Sequence, residues 1–195
     1  MIRSLFSIVL LFFISCAESA PEVTAAQEQE KQPFFPVYSF LKGEQNAVDS
    51  LPVGIRQILI QKDKADTSYI SLEEFHNLSD PFLIPELQPE KFEHNFKEES
   101  FFDQTLQRSN FLYTPTSTST PIRRIDISTQ TQGIYDKVVS LYMEKEESGP
   151  QGSTINKLLW RPGKEFQLIT IPSGDNAAGE EYHRRVIWDN MEEAP

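Results

Sequence analysis

Hydrophobic positions follow two different periods along this chain, a helical one near its start and an alternating one in its second half. Pro36 suits the first turn of a helix, and Pro52 cannot continue one. Between these prolines, apolar side chains recur at helical spacing, at Val37, Leu41, Val48 and Leu51. The spacing predicts an amphipathic helix over residues 36–50, with its apolar face turned to a sheet.

The segment after this helix is rich in β-branched residues. Residues 53–61 read VGIRQILIQ, a composition that predicts a buried strand. Residues 62–66 are polar and predict a turn. The next four residues, 67–70, then return as a short second strand.

A short helix and an irregular crossing segment follow. Ser71 and Glu74 stand three residues apart, as in a capping box, and predict a helix that ends near Leu78. Three prolines within residues 81–90 predict irregular structure there. Beyond them the pattern is mixed, and residues 101–113 are the best candidate for a strand.

The second half alternates apolar and polar residues in segments that turn residues separate. Pro162 and Gly163 suit the centre of a type II turn and predict a hairpin. The predicted strands of this half cover residues 122–128, 135–144, 154–160, 165–171 and 182–188. Strands joined in succession by short turns form an antiparallel meander. The predicted class is therefore α+β, a curved antiparallel sheet of about five to six strands with the N-terminal amphipathic helix packed on one face.

The first residues have the form of a signal peptide. Arg3 gives a positive start, and an apolar run of about ten residues follows to Ile14. That run is too short for a transmembrane helix, which needs roughly 20 apolar residues. The run ends in Ser15-Cys16, a small residue before a cysteine, which resembles a bacterial lipoprotein box, with Phe13 where Leu is usual. The resemblance implies that the Cys16 thiol carries a diacylglycerol and anchors the protein to a membrane.

The signal peptide sets the domain boundaries. Residues 1–15 are the predicted signal peptide, and residues 16–33 are the lipidated cysteine with a flexible acidic tether. Residues 34–190 are long enough for a single α+β domain with its own core. Residues 191–195 form a tail.

Charge and cysteine content exclude some partners. The formal net charge is −11, so phosphate backbones repel the chain and no nucleic-acid partner is expected. Cys16 is the single cysteine, so no internal disulfide can form. The core must then come from apolar packing, with 14 Phe and 2 Trp as its bulk.

Several short phrases are similar to those of small uncharacterised envelope lipoproteins of the Bacteroidota type. The phrases are Phe34-Phe35-Pro36-Val37, Phe40-Leu41-Lys42-Gly43, Asp49-Ser50-Leu51-Pro52, Asp80-Pro81-Phe82-Leu83, Glu99-Ser100-Phe101, Asp103-Gln104-Thr105 and Val186-Ile187-Trp188-Asp189. The resemblance implies an envelope lipoprotein of unknown activity and transfers no catalytic residue. Ala17-Glu18-Ser19 lacks the dense acidic run of a surface-export signal, which favours a periplasm-facing anchor.

Two weak sites involve histidine. Glu73 and His76 lie three apart on the predicted capped helix and could ligate a metal together, although an exposed helix surface is the preferred explanation because a metal site normally needs three or four ligands. His183, Arg184 and Arg185 form the main basic cluster, where alternation sends His183 and Arg185 to one face. The cluster could bind a carboxylate or phosphate, or its arginines could pair with the chain's own carboxylates.

The leading functional hypothesis is a non-catalytic envelope lipoprotein that binds a protein partner or a small apolar ligand, or has a structural role in a membrane assembly. The alternative is a periplasmic hydrolase or metal-dependent enzyme that uses His76 or His183 with nearby carboxylates. The common hydrolase, P-loop, zinc and dinucleotide motifs do not occur in the sequence. No cofactor and no catalytic residue are predicted.

Overall fold

The computed structural model describes residues 33–52, 54–62, 64–132, 135–149, 152–173 and 180–188, and the side chains of Gln132 and Tyr135 are left out of the description. The predicted signal peptide, Cys16, the tether up to residue 32 and the tail at residues 191–195 lie outside these ranges. Among the described helices, none is both long and apolar enough to span a bilayer.

Nine antiparallel strands form one open sheet in the described part of the chain. The strands are β1 (Ile55–Gln61), β2 (Lys64–Ile70), β3 (Phe96–Asp103), β4 (Arg108–Pro115), β5 (Ile122–Gln132), β6 (Tyr135–Gly149), β7 (Gly152–Arg161), β8 (Glu165–Ser173) and β9 (Tyr182–Ile187). Their order across the sheet is β2-β1-β9-β8-β7-β6-β5-β4-β3, so β2 and β3 are the edges. The α+β class and the antiparallel sheet are confirmed, and the count of five to six strands is wrong.

The predicted strands at residues 53–61 and 67–70 belong to the same sheet, which the count of five to six did not include, and one further strand was lost where the prediction merged two. Residues 101–113 are not one strand, because β3 and β4 meet at a turn inside this segment. The Asp103 carboxylate accepts the backbone N–H groups of Thr105 and Leu106 at 2.8 and 3.0 Å, and Gln107 takes a positive φ of 52°. A turn capped by a side chain in this way needs neither Gly nor Pro. The sequence pattern therefore gave no turn signal here.

The second-half hairpin has the predicted geometry. The Lys164 N–H donates to the Arg161 carbonyl at 3.1 Å, and Gly163 has a φ of +69°. A type II turn requires this left-handed conformation at its third position, where glycine has no Cβ penalty. The hairpin therefore joins β7 to β8 where the sequence predicts it.

Three helices of the described part of the chain share a single face of the sheet. They are α1 (Val37–Asp49), α2 (Leu72–Ser79) and α3 (Pro89–Asn95), with 3₁₀ turns at Asp80–Phe82 and Pro85–Leu87. The Ser71 hydroxyl accepts the Glu74 N–H at 3.1 Å, so the predicted cap is confirmed. The N-terminal helix was the one predicted to pack on this face. The structure adds α2, whose cap the sequence predicts, and α3, which begins at Pro89 in the proline-rich segment.

Aromatic rings join α2 to the centre of the sheet. Phe75 of α2 is fully buried and meets the rings of Trp160, Phe166 and Trp188 at centroid distances of 6.2, 5.7 and 5.5 Å. The Glu44 carboxylate of α1 accepts hydrogen bonds from the Trp160 indole at 3.3 Å and from the Gly163 N–H at 2.9 Å. The expectation of an aromatic core held by packing is met in this central cluster.

A second aromatic cluster fixes the point where the chain enters the fold. Phe34 packs against Phe92 of α3 and Tyr113 of β4, with ring centroids 5.8 and 5.3 Å apart. The Phe35 N–H donates to the Tyr113 hydroxyl, which itself donates to the Glu98 carboxylate at 2.7 Å. Burial first, and the hydrogen bond to Glu98 second, raise the pKa of the Tyr113 phenol well above its ordinary value.

Candidate functional site

A cleft opens on the helix-covered face, where the ends of β6 to β9 extend past the Asp80–Phe82 turn. Its volume is 730 Å³, within the range of about 300–1,000 Å³ for small-molecule sites. We name it the β6–β9 cleft. Its apolar walls include Leu78, Phe82 and Leu168.

A buried lysine supports the floor of this cleft. The Lys145 side chain is 3% exposed, and its ammonium donates to the Pro81 carbonyl at 2.7 Å and pairs with Glu147 at 2.9 Å. The ammonium also lies 5.2 Å from the centre of the Phe82 ring, a favourable cation–π position. A buried charge is stable only with such partners. The lysine is therefore already neutralised by Glu147.

Polar groups continue from this ion pair across β7 and β8. The Asn156 amide donates to the second Glu147 oxygen at 3.1 Å, and the Asn156 carbonyl oxygen accepts from the Thr170 hydroxyl at 2.9 Å. Register places these residues on the same sheet face, because Lys145 pairs with Asn156 and Asn156 with Thr170. The result is a fixed polar network beside an apolar wall.

Three further polar groups at the cleft form no side-chain hydrogen bond within the described ranges. They are the hydroxyls of Thr154 and Tyr182 and the amide of Asn77. Hydroxyls and amides can both donate and accept. The cleft therefore offers uncharged hydrogen-bonding groups, beside a self-neutralised ion pair, to whatever enters it.

Glu73 and His76 both lie on α2, and the ion-pair contacts of His76 among the described residues are to Asp49 and Asp80. Glu73 is exposed, whereas the His76 ring contacts Asp49 at 2.8 Å through Nε2 and Asp80 at 3.7 Å through Nδ1. In the described ranges, no group of three or more His, Cys, Asp and Glu side chains could hold a metal ion. His94 lies exposed on α3.

The basic cluster on β9 divides between the two faces of the sheet, as alternation predicts. Arg184 shares the helix-covered face with Leu168, whereas His183 and Arg185 lie on the opposite face. Arg184 donates to Gln57 at 2.8 Å and lies 3.5 Å from Glu74. These contacts fit the expectation that the chain's own carboxylates engage the arginines.

Arg185 belongs to a buried network that sequence reasoning missed. Its guanidinium pairs with Glu165, whose side chain is only 4% exposed and which also accepts from Arg161 at 3.0 Å. Gln167 links this carboxylate to the His183 ring, with contacts of 2.9 and 3.2 Å. Two cations and an amide therefore compensate the buried charge of Glu165.

The cleft residues were also missed, although one signal was present. Lys145 continues the alternation of Leu141 and Met143 on β6, so it is a cation at an inward position. Such a residue indicates a buried charge with a dedicated partner. The predicted strand ended at Glu144, one residue short of this signal.

Comparison of the chain with models of protein families, with curated proteins and with solved structures finds no match.

Proposed function

We propose that this protein is a lipid-anchored binding protein of the bacterial cell envelope, without catalytic activity. Its ligand is a small uncharged molecule that carries hydroxyl or amide groups on an apolar frame. The observation that carries the proposal is the β6–β9 cleft, where Thr154, Tyr182 and Asn77, which form no side-chain hydrogen bond within the described ranges, lie beside apolar walls. Sites for small molecules combine apolar surface with a few such polar groups.

Charge balance selects an uncharged ligand. Lys145 and Glu147 neutralise each other at 2.9 Å, and Asn156 occupies the remaining Glu147 oxygen. An anionic ligand would have to displace the Glu147 carboxylate from Lys145. A cationic ligand that drew Glu147 away would leave the Lys145 side chain, which is only 3% exposed, without its counter-ion, which is costly for a buried group. An uncharged ligand keeps the pair intact and hydrogen-bonds to the hydroxyls of Thr154 and Tyr182.

The proposed location of the protein rests on its sequence. The run before Ser15-Cys16 supports a signal peptide, and the resemblance to a lipoprotein box supports a diacylglycerol on Cys16 with a periplasm-facing anchor. The acidic stretch that follows supports a flexible tether. This tether would leave the cleft free to meet small molecules near the membrane.

Saturation-transfer NMR on the full chain in neutral detergent tests the cleft. The probes are phenyl glucoside and benzamide, which are uncharged, and their charged counterparts, phenyl phosphate and benzoate. We expect transfer to the uncharged probes and little to the charged ones. A Thr154→Trp variant fills the cleft and should abolish transfer, whereas Thr67→Trp on the exposed edge strand β2 should not. Equal transfer to all probes, or equal signals from both variants, would contradict the proposal.

An exposed apolar hairpin tip favours a second candidate, a structural role within an envelope assembly. Phe101, Phe102 and Leu106 at the β3–β4 turn are 62%, 54% and 54% exposed. Grouped apolar side chains at an edge strand are typical of protein contacts. A Phe101→Ser, Phe102→Ser double variant should then leave a native membrane complex, measured by its sedimentation in mild detergent. Unchanged sedimentation would count against this role.

The enzymatic alternative stays a prediction. Its best support in the described ranges is the His76–Asp49 contact at 2.8 Å, a geometry in which a carboxylate orients an imidazole. The His183 ring reaches the buried Glu165 only through Gln167. No observation therefore places this alternative above the binding role.

A further inference from the structure

A second cleft lies at the other end of β6 and β7 from the β6–β9 cleft, and its lining is basic. Its volume is 640 Å³, and four cations line it: Arg108, Lys137, Arg161 and Lys164. No acidic residue is part of this lining. We name it the basic cleft. Within a chain whose net charge is −11, this is a local reversal of charge.

The sheet register explains how three of these cations converge. Lys137 pairs with Gln130 across β5 and β6. Arg108 lies two residues before Asn110, whose side chain meets that of Ser128 on the face opposite the helices. Arg161 follows Trp160, which points to the helices, so it points away from them. These strand ends therefore present Arg108, Lys137 and Arg161 on the same face, beside the turn that holds Lys164.

A β-bulge shapes the floor of the basic cleft. Ser128 pairs with Ser140, but Thr129 pairs with Val138, so Val139 is an extra residue in β6. Bulges bend a strand and redirect the side chains next to them. Both Val139 and Ser140 line the cleft, so the bulge lies directly beneath the cations.

Three of the four cations lack a carboxylate partner among the described residues. Arg161 pairs with Glu165 at 3.0 Å, but Arg108, Lys137 and Lys164 form no ion pair within that part of the chain. The sequence holds 29 acidic and 18 basic residues, so carboxylates outnumber the cations available to pair with them. Unpaired cations grouped around a concave surface concentrate a positive field there.

Arg108 carries a donor without a partner among the described residues. Its Nε atom is buried and forms no hydrogen bond within that part of the chain. Its ladder neighbour on β3 is Asp103, but the carboxylate of Asp103 accepts backbone N–H groups of its own turn. The guanidinium of Arg108 lines the cleft, so its terminal N–H groups are the donors that an oxyanion there would meet.

We propose that the basic cleft binds a phosphate group carried by a small molecule. Three uncompensated cations exceed the need of a single carboxylate and suit the higher charge of a phosphate, which arginine can bind through two parallel hydrogen bonds. Gln130 and Ser140 add uncharged polar groups to the lining. The phosphate belongs either to a soluble metabolite or to a lipid headgroup, because both present the same chemistry to these side chains.

Isothermal titration of the full chain in neutral detergent tests this site, with pyrophosphate as the soluble probe. The lipid arm uses the same detergent doped with phosphatidic acid, with phosphatidylcholine as its blank. We expect one pyrophosphate or one phosphatidic acid per chain, and the tighter of the two identifies the source. Failure of both probes to bind at millimolar concentration overturns the proposal.

Matched substitutions show whether binding depends on this cleft. Arg108→Gln should raise the dissociation constant by about tenfold or more, because it removes a hydrogen-bonding guanidinium. Lys137→Gln should raise it by about threefold, because this variant loses one exposed charge. The controls Arg124→Gln and Lys157→Gln change net charge equally outside the cleft and should stay within about twofold. Equal losses in variants and controls would show a non-specific charge effect and overturn the site.

Discussion

Removal of the Phe75 ring is the sharpest test of how the helices attach to the sheet. Phe75 is fully buried, and its ring joins α2 to Trp160, Phe166 and Trp188. Phe75→Ala would empty the centre of this cluster and leave α2 with Ser79 as its other buried residue. The β6–β9 cleft depends on this contact, because the Asp80–Phe82 turn that walls it follows directly from α2.

The expected loss follows from burial and ring contacts. Replacing a buried Phe by Ala costs about 3–5 kcal/mol of unfolding free energy through lost apolar contact and a cavity. Three aromatic partners, one in an edge-to-face arrangement at 86°, favour the upper half of that range. Phe101→Ala makes the same substitution at a side chain that is 62% exposed and should cost about 0.5 kcal/mol or less.

Urea denaturation followed by far-ultraviolet circular dichroism measures both variants. This signal is preferable to tryptophan fluorescence, because Trp160 and Trp188 touch the mutated ring and would report local change. We expect the midpoint of Phe75→Ala to fall steeply and that of Phe101→Ala to match the parent chain. Similar midpoints for the two variants would refute the packing of α2 on the aromatic cluster.

Three further predictions follow from single side chains. The pKa of the Tyr113 phenol is higher in the folded than in the unfolded chain, so its contribution to the free energy of unfolding should be full below about pH 10 and fall above that pH. Tyr113→Phe should flatten this decline when unfolding is measured between pH 9 and 11. Glu44→Gln weakens the bonds from Trp160 and Gly163 and should cost about 1–2 kcal/mol in urea denaturation; a midpoint equal to the parent's would refute the α1 contact. Glu165→Gln should lower the free energy of unfolding by about 1–3 kcal/mol in urea denaturation, a range kept low because the arginine partners are half-exposed. A gain in stability would contradict the compensation of this buried charge.

Local signals in the sequence predicted local structure well. Pro36 precedes the first helix, Ser71 caps the next one, and Pro162-Gly163 makes the hairpin. Each acts locally, the prolines and Gly163 through their backbone conformation and Ser71 through its hydroxyl. The β3–β4 turn was missed because Phe101 and Phe102 are adjacent apolar residues, which hides the alternation of an edge strand exposed on both sides. The turn itself is held by one side chain, the Asp103 carboxylate, which accepts two backbone N–H groups.

The cleft could not be predicted, because distant segments build it. The Lys145 ammonium bonds to the Pro81 carbonyl across 64 residues of sequence, and no periodicity encodes such a pairing. The His183-Arg184-Arg185 run attracted attention as a basic cluster, yet its arginines pair with the chain's own Glu74 and Glu165. The basic cleft instead collects Arg108 and Lys164 from separate strands and turns, with no run in the sequence.

The central claim is that a lipid on Cys16 holds this ligand-binding domain at a membrane, and intact mass spectrometry tests it most directly. The full chain is purified from bacterial membranes beside a Cys16→Ala variant. We predict that the parent lacks residues 1–15 and gains the mass of a diacylglycerol, and that the variant lacks this mass and leaves the membrane fraction. A parent chain without added lipid mass, or a variant that stays in the membrane, would contradict the account.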